Sequence, residues 1–206
     1  MDCTEQESCQ KLVLHVGCGR YYPEALHPLF QSQDWREIRL DLNPDVEPDI
    51  VASITNLEPV ADGSIDAIWS SHNIEHLYAH EVPIALGEFY RVLKPSGFLL
   101  ATMPDIQQVA AYVAQGNLED TLYMSPSGPI AAIDILFGHR RFIQEGNQFM
   151  AHRTGFTGKT LLNKLSAAGF ATIRVWQTDL ALWTVAYKQE TQNPLDLPSF
   201  MASLAA

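Results

Sequence analysis

Apolar residues come in short runs along this chain, and up to residue 104 the runs switch between two periods. Leu12-Val13-Leu14-His15-Val16 is an almost unbroken run of strand length that stops at Gly17-Cys18-Gly19. Pro23 suits a first helical turn, so a helix is predicted within 23–33. Glu37-Ile38-Arg39-Leu40-Asp41-Leu42 alternates and halts at Asn43-Pro44, which reads as a second strand ending at Asp41. Residues 49–52 read as a short third strand, 61–64 as a turn and 65–70 as a fourth strand. Helical sequence resumes at Asn73, and after Pro83 the residues Ile84, Leu86, Phe89, Val92 and Leu93 share one side. Lys94-Pro95-Ser96-Gly97 stops that helix and turns, with Arg91, Lys94 and Gly97 serving the stop. Phe98 to Met103 is a fifth strand, ended by Pro104.

A helix is predicted at roughly 105–115, after which the period is lost. Residues 116–156 mix Gly, Pro and polar residues among apolar ones and read as an insertion packed over the sheet's ligand edge. Thr157 as N-cap and Gly169 as stop bracket a helix at about 157–168. Residues 170–177 and 180–188 form a closing antiparallel hairpin, and 190–206 a C-terminal tail. The expected architecture is therefore α/β: one domain over 1–206 with a doubly wound, mostly parallel, seven-stranded sheet and an insertion after strand five. Residues 11–104 form its ligand-binding half.

Composition adds limits. A chain of 206 residues with 47% hydrophobic content and mean hydropathy −0.05 can bury a sizeable core. The charge of −11, from 24 acids and 13 bases, argues against a nucleic-acid partner and otherwise serves solubility. No apolar run approaches the roughly 18 residues of a membrane span, and the polar start MDCTEQESCQK does not resemble a signal peptide; a cytoplasmic location is expected, with no membrane partner. Cys3, Cys9 and Cys18 match no zinc spacing and read as reduced thiols, so no metal is expected. Cys18 reads as a small residue tolerated beside a ligand rather than a nucleophile.

Ligands of doubly wound sheets bind outside the carboxyl ends of the strands. Four segments land there: Gly17-Cys18-Gly19, Asp41, Ala52-Ser53-Ile54 and Ser70-Ser71-His72. A glycine turn followed by an acid at the end of the next strand suits a nucleoside, with Asp41 gripping the ribose diol. A dinucleotide fingerprint needs a third glycine, and Tyr22 stands in that place, which disfavours a nicotinamide-dependent reductase.

Over about residues 11–104, with a weaker echo at 152–176, the chain resembles the class I S-adenosylmethionine-dependent methyltransferases of the small-molecule type. The segments that carry the resemblance are Leu14-His15-Val16-Gly17-Cys18-Gly19, the acid Asp41, SIDAIWSSHNIEHL with its Ser71 to His76 motif, RVLKPSG and HRTGFTGKTLLNKLSAAGF. It implies a Rossmann-like methyltransferase fold, S-adenosylmethionine as cofactor and a small-molecule methyl acceptor. It places Gly17, Cys18, Gly19, Asp41, Ser53 and Ile54 at the cofactor, and Arg20, Leu42, Ser70 and His72, beside them at the same sheet edge, complete the expected cofactor set. The chain departs from the pattern at His15, where the family has an acid near the methionine amino group, and at Ser53, where an Asp often meets the adenine amine.

His139, Arg140, Arg141, His152 and Arg153 are the basic cluster of the insertion. They form a candidate acceptor pocket, with His139 and His152 as candidate bases and Arg for an acidic group. Glu75 and His76 read as pocket-shaping and Trp69 as core. The competing reading is a cofactor-binding but catalytically silent module that regulates or scaffolds a partner, motivated by His15 and Ser53.

Overall fold

The computed structural model describes residues 10–204, so Cys3 and Cys9 lie outside the described residues. Seven strands form one sheet: β1 (Lys11–Val16), β2 (Trp35–Asp41), β3 (Ile50–Val51), β4 (Ile65–Ser71) and β5 (Leu93–Pro104), joined later in the chain by β8 (Thr172–Thr178) and β9 (Ala181–Tyr187). Strands β6 (Thr121–Ser125) and β7 (Gly128–Ala131) make a separate hairpin. The large sheet runs β3-β2-β1-β4-β5-β9-β8, parallel as far as β5 and antiparallel for the last two. The α/β, doubly wound, seven-stranded expectation is met. Strands β1 and β4 sit at the centre, covered on both faces, which is why they read as apolar runs rather than as alternation.

Register carries the site. Val16 lies level with Leu40 on one side and with Ser70 on the other. One step further along each parallel strand therefore brings Gly17, Asp41 and Ser71 to the same sheet edge. Asp41 in turn pairs with Val51, and Ser71 with Thr102.

Helices α1 (Val82–Val92) and α5 (Gly158–Ala167) cover one face. The buried stripe of α1 is Val82, Ala85, Leu86, Phe89 and Val92. Ile84, placed on the apolar side from the sequence, is exposed because two residues after Val82 is the far side of a helix. Thr157 caps α5 by accepting from the Thr160 N–H, and Gly169 follows with φ +102°. Arg91 fastens the end of α1 by donating to Glu88, Asp62 and the Val60 and Leu57 carbonyls. Lys94-Pro95-Ser96-Gly97 is not a separate turn but the bulged start of β5: Leu93 pairs with Ile65 and Phe98 with Ala67.

The other face departs further from expectation. The helix predicted within 23–33 is two three-residue 3-10 turns, Pro23–Ala25 and Pro28–Phe30. Pro28 lacks an N–H and biases the preceding residue away from the helical region; Leu26 and His27 are accordingly extended, with ψ 127° and 139°. Aromatic residues and the tail complete the cover. Phe30, Trp69 and Leu197 of α6 (Leu197–Leu204) are buried there, with Trp35, Phe98, Trp183 and Phe200 packed against them.

His27 sits inside this aromatic layer, its ring 5.1 Å from Trp69 and 5.7 Å from Trp183. Its Nδ1 accepts from the Leu29 N–H, and Nε2 has no hydrogen-bond partner. Burial pushes its pKa down to about 4. The unfolded state, with an ordinary histidine near 6.5, binds the proton first, so His27 stabilises the fold fully above that value and loses its effect as pH falls toward 4. We expect urea unfolding to show wild type losing up to ~3 kcal/mol more than His27→Phe between pH 6.5 and 4. Equal losses would exclude a buried neutral imidazole.

Between α2 (Ile106–Ala114) and α5 the chain forms the β6–β7 hairpin, α3 (Ala132–Phe137), α4 (Arg140–Gln144) and a 3-10 turn, Gln148–Met150. Gly138, with φ +96°, pairs with Ala151 and folds this segment back; a Cβ on it would overlap the Met150 carbonyl. Among the described residues no helix is long and apolar enough to cross a membrane.

Candidate functional site

The turn after β1 is built from backbone that only glycine adopts easily. Gly17 and Gly19 have φ +63° and +59°. A Cβ on Gly17 would lie 2.5 Å from Asn73 Cγ, whereas Gly19 faces open space. The turn is tied to β2 at several points. The Cys18 N–H donates to the Leu40 carbonyl, and the Gly19 N–H donates to Asp41 Oδ2 at 2.9 Å. Arg39 donates to the Gly19 carbonyl at 2.6 Å. Asp41 Oδ1 accepts from the Asn43 N–H at 2.9 Å, so the carboxylate is fixed at both oxygens with lone pairs left over.

A cleft of about 270 Å³ opens at this edge. Seven residues anticipated at the cofactor line it: Gly17, Gly19, Asp41, Leu42, Ser53, Ile54 and His72. Three do not. Cys18 is buried beneath the turn, its thiol pushed up to about 11 by burial, which removes it as a nucleophile at neutral pH. Arg20 is exposed and Ser70 fully buried, its Oγ without a hydrogen-bond partner; neither lines the cleft. The Ser53 hydroxyl lies 2.7 Å from Thr55 Oγ1 and accepts from the Thr55 N–H.

His15 is buried on β1, Nδ1 2.6 Å from Glu37 Oε1. Neither His15 nor Glu37 lines the cleft.

The cleft also has residues that sequence reasoning missed. Asn43 and Val46 come from the 3-10 turn after β2, and Asn73 and Leu77 from the segment after β4. Asn147, Phe149 and Met150 come from the insertion; Arg153, expected at the acceptor pocket, lines this cleft instead. Asn43 and Asn73 follow directly on the anticipated Leu42 and His72, and Val46 and Leu77 lie about one turn further on. The insertion residues had no periodic signal to find them by.

His139 and His152 line a second cavity of about 250 Å³, together with Tyr123, Asp134 and Asp179. His72, His76 and Met150 belong to both cavities, so the two adjoin. Both ring nitrogens of His139 lack hydrogen-bond partners. His152 Nδ1 donates to the Ile135 carbonyl at 2.8 Å, and burial lowers its pKa, leaving it neutral at pH 7. Arg140 pairs with Asp134 at 2.8 Å and Arg141 with Glu145 at 2.9 Å, so neither is an uncommitted cation. Glu75 is buried; burial pushes its carboxyl up, but the hydrogen bond and charge of His72 outweigh this and hold it below the usual range.

Residues 14–101 match the family described as a methyltransferase domain. No curated protein matches. Among solved structures, the chain is similar to an S-adenosylmethionine-dependent methyltransferase from Methanosarcina mazei at 16% identity and a TM-score of 0.57, covering 92% of this chain and 100% of that one. It is similar to a Burkholderia thailandensis 1,6-didemethyltoxoflavin-N1-methyltransferase, solved with 1,6-didemethyltoxoflavin and S-adenosylhomocysteine, at 16% identity and a TM-score of 0.55 over 89% and 73% of the two chains. It is also similar to the citrinin polyketide synthase CMeT domain at 13% identity and a TM-score of 0.56; 88% of this chain is covered, but it spans only 47% of that one. At these identities the likenesses show a shared fold.

Proposed function

We propose that this chain is a class I S-adenosylmethionine-dependent methyltransferase that methylates a small-molecule acceptor. The observation that carries the proposal is the convergence on one cleft of Asp41 and the glycine turn, where Gly17 has no room for a Cβ. The residues present fit the cofactor. Asp41 keeps free lone pairs for a ribose diol, and Leu40, Leu42, Val46 and Ile54 offer an apolar lining for the adenine. The Gly17–Gly19 backbone lies open to the methionine end.

S-adenosylmethionine supplies a methyl group already activated by its sulfonium. What remains for the protein is to position the two reactants and exclude water. The second cavity, joined to the first through His72, His76 and Met150, is the proposed acceptor site. For a hydroxyl or phenol acceptor, His139 is one proposed base: neither ring nitrogen is engaged, but both are buried, so its ring must turn into the cavity to reach the acceptor. His152 has only Nε2 uncommitted.

Calorimetric titration tests the reading: both S-adenosylmethionine and S-adenosylhomocysteine are expected to bind with micromolar affinity. Absence of binding by either at millimolar concentration would refute it. The silent-module reading draws support from His15, engaged by Glu37, and from Ser53, engaged by Thr55. Good cofactor binding without turnover across a broad acceptor screen favours it; any robust turnover removes it.

A further inference from the structure

We propose that Glu75, His76 and His152 form a binding site for one divalent transition-metal ion. One ligand atom from each lies within 4.8 Å of the others. Three N and O donors at ~2.1 Å from a tetrahedral ion are about 3.4 Å apart, a distance that small side-chain rotations reach from here.

Several independent features point the same way. Glu75 is only 1% exposed, and neither carboxylate oxygen accepts a hydrogen bond. Its nearest charged neighbour is His72 Nδ1, 3.3 Å from Oε1 and on an exposed side chain. His72 faces Oε1 only, so Oε2 of this dehydrated carboxylate has no donor or cation to replace its lost hydration. His152 donates from Nδ1 to the Ile135 carbonyl, which fixes the tautomer and leaves the Nε2 lone pair free. Metal-bound histidines are oriented by such bonds. His76 has Nδ1 3.2 Å from the Ala151 carbonyl and Nε2 3.1 Å from the His72 carbonyl. Binding an ion through either nitrogen requires the ring to turn away from the carbonyl that nitrogen faces. The rings of His76 and His152 stand edge to face at 4.8 Å.

The backbone holds the ligands together. Glu75 and His76 belong to the 3-10 turn Ile74–His76, and His152 comes from the far side of the insertion. The N–H groups of Arg153 and Thr154 both donate to the Glu75 carbonyl, at 2.9 and 3.1 Å. Two nitrogens and one carboxylate suit Zn²⁺ and its neighbours Co²⁺, Fe²⁺ and Mn²⁺ rather than Ca²⁺ or a thiolate-selected ion. An ion here lies where the two cavities adjoin, and an acceptor oxygen could complete its coordination. That role, which rests on the acceptor reading, takes His152 out of the list of bases; the site itself does not depend on it.

The test is metal binding alone. Full-length protein stripped with a chelator and dialysed is titrated with Zn²⁺ against a competing chromophoric chelator, and with Co²⁺ followed by its visible absorption. One equivalent with sub-micromolar affinity is expected, and Glu75→Gln and His152→Gln should each weaken it at least ~100-fold while thermal unfolding of the metal-free variants remains cooperative. His152 is only half-buried, so its variant keeps the test open if Glu75→Gln fails to fold. No stoichiometric binding by wild type, or undiminished affinity in a folded variant, overturns the proposal. Cofactor calorimetry on the same stripped protein reads the cleft separately.

Discussion

Asp41→Ala is expected to lower the affinity for S-adenosylmethionine and S-adenosylhomocysteine at least ~100-fold while leaving the protein folded. Two hydrogen bonds from a diol to a carboxylate are worth about 1.5–3 kcal/mol each, and 1.4 kcal/mol is about tenfold in affinity. The same change releases the Gly19 and Asn43 N–H groups from their acceptor. The turn then keeps its ties to β2 through Leu40 and Arg39 but loses the one that fixes the Gly19 N–H. Asp41 is half-buried at the mouth of the cleft, so global stability should fall by no more than about 1–2 kcal/mol. Isothermal titration with a parallel thermal melt reads both effects. Affinity within threefold of wild type would remove Asp41 from the cofactor site.

The second large effect is expected at Gly17, with Gly19 as its internal control. Both glycines need positive φ, which costs a residue with a Cβ about 1–2 kcal/mol. Only at Gly17 does the new methyl group meet another side chain, 2.5 Å from Asn73 Cγ. Asn73 itself lines the cleft, so moving aside changes the shape of the site. Gly17→Ala should therefore abolish measurable cofactor binding, whereas Gly19→Ala should pay only the backbone strain and weaken binding about 10-fold or less. Equal behaviour of the two variants would mean that conformational strain, not crowding by Asn73, governs the turn.

Most of the sheet was legible because its central strands are buried on both faces and end at turn residues. The run 12–16 and the stop at Gly17 need no tertiary information. Neither does the alternation that ends at Asp41. The 3-10 turns at 23–30 look like one helix in the sequence because one proline at a helix start is favourable, while a second five residues later imposes extended backbone that a pattern of apolar residues does not reveal. The stop at Lys94-Pro95-Ser96-Gly97 was read as a turn, since the residues that favour turns also favour bulges. The tail is covered on one side by aromatic residues from distant strands, and no local signal announces that. Inside the cleft, Asp41 and the glycines could be found from spacing, but Asn147, Phe149 and Met150 reach it only because Gly138 folds the insertion back.

The order of strands has a consequence for synthesis. Strand β5 meets β4 on one side and β9 on the other, and Phe98 pairs with Tyr187, which follows it by nearly 90 positions. At about 5–20 residues per second, the ribosome leaves that side of β5 without its partner for roughly 5–18 s after Phe98 is made. Phe98, Leu99, Leu100, Ala101 and Met103 form an apolar edge with unpaired backbone groups throughout that interval. The nascent chain is thus most open to wrong strand pairing next to the strand that later shares an edge with the cleft, and the last hairpin acts as the closure that removes that hazard.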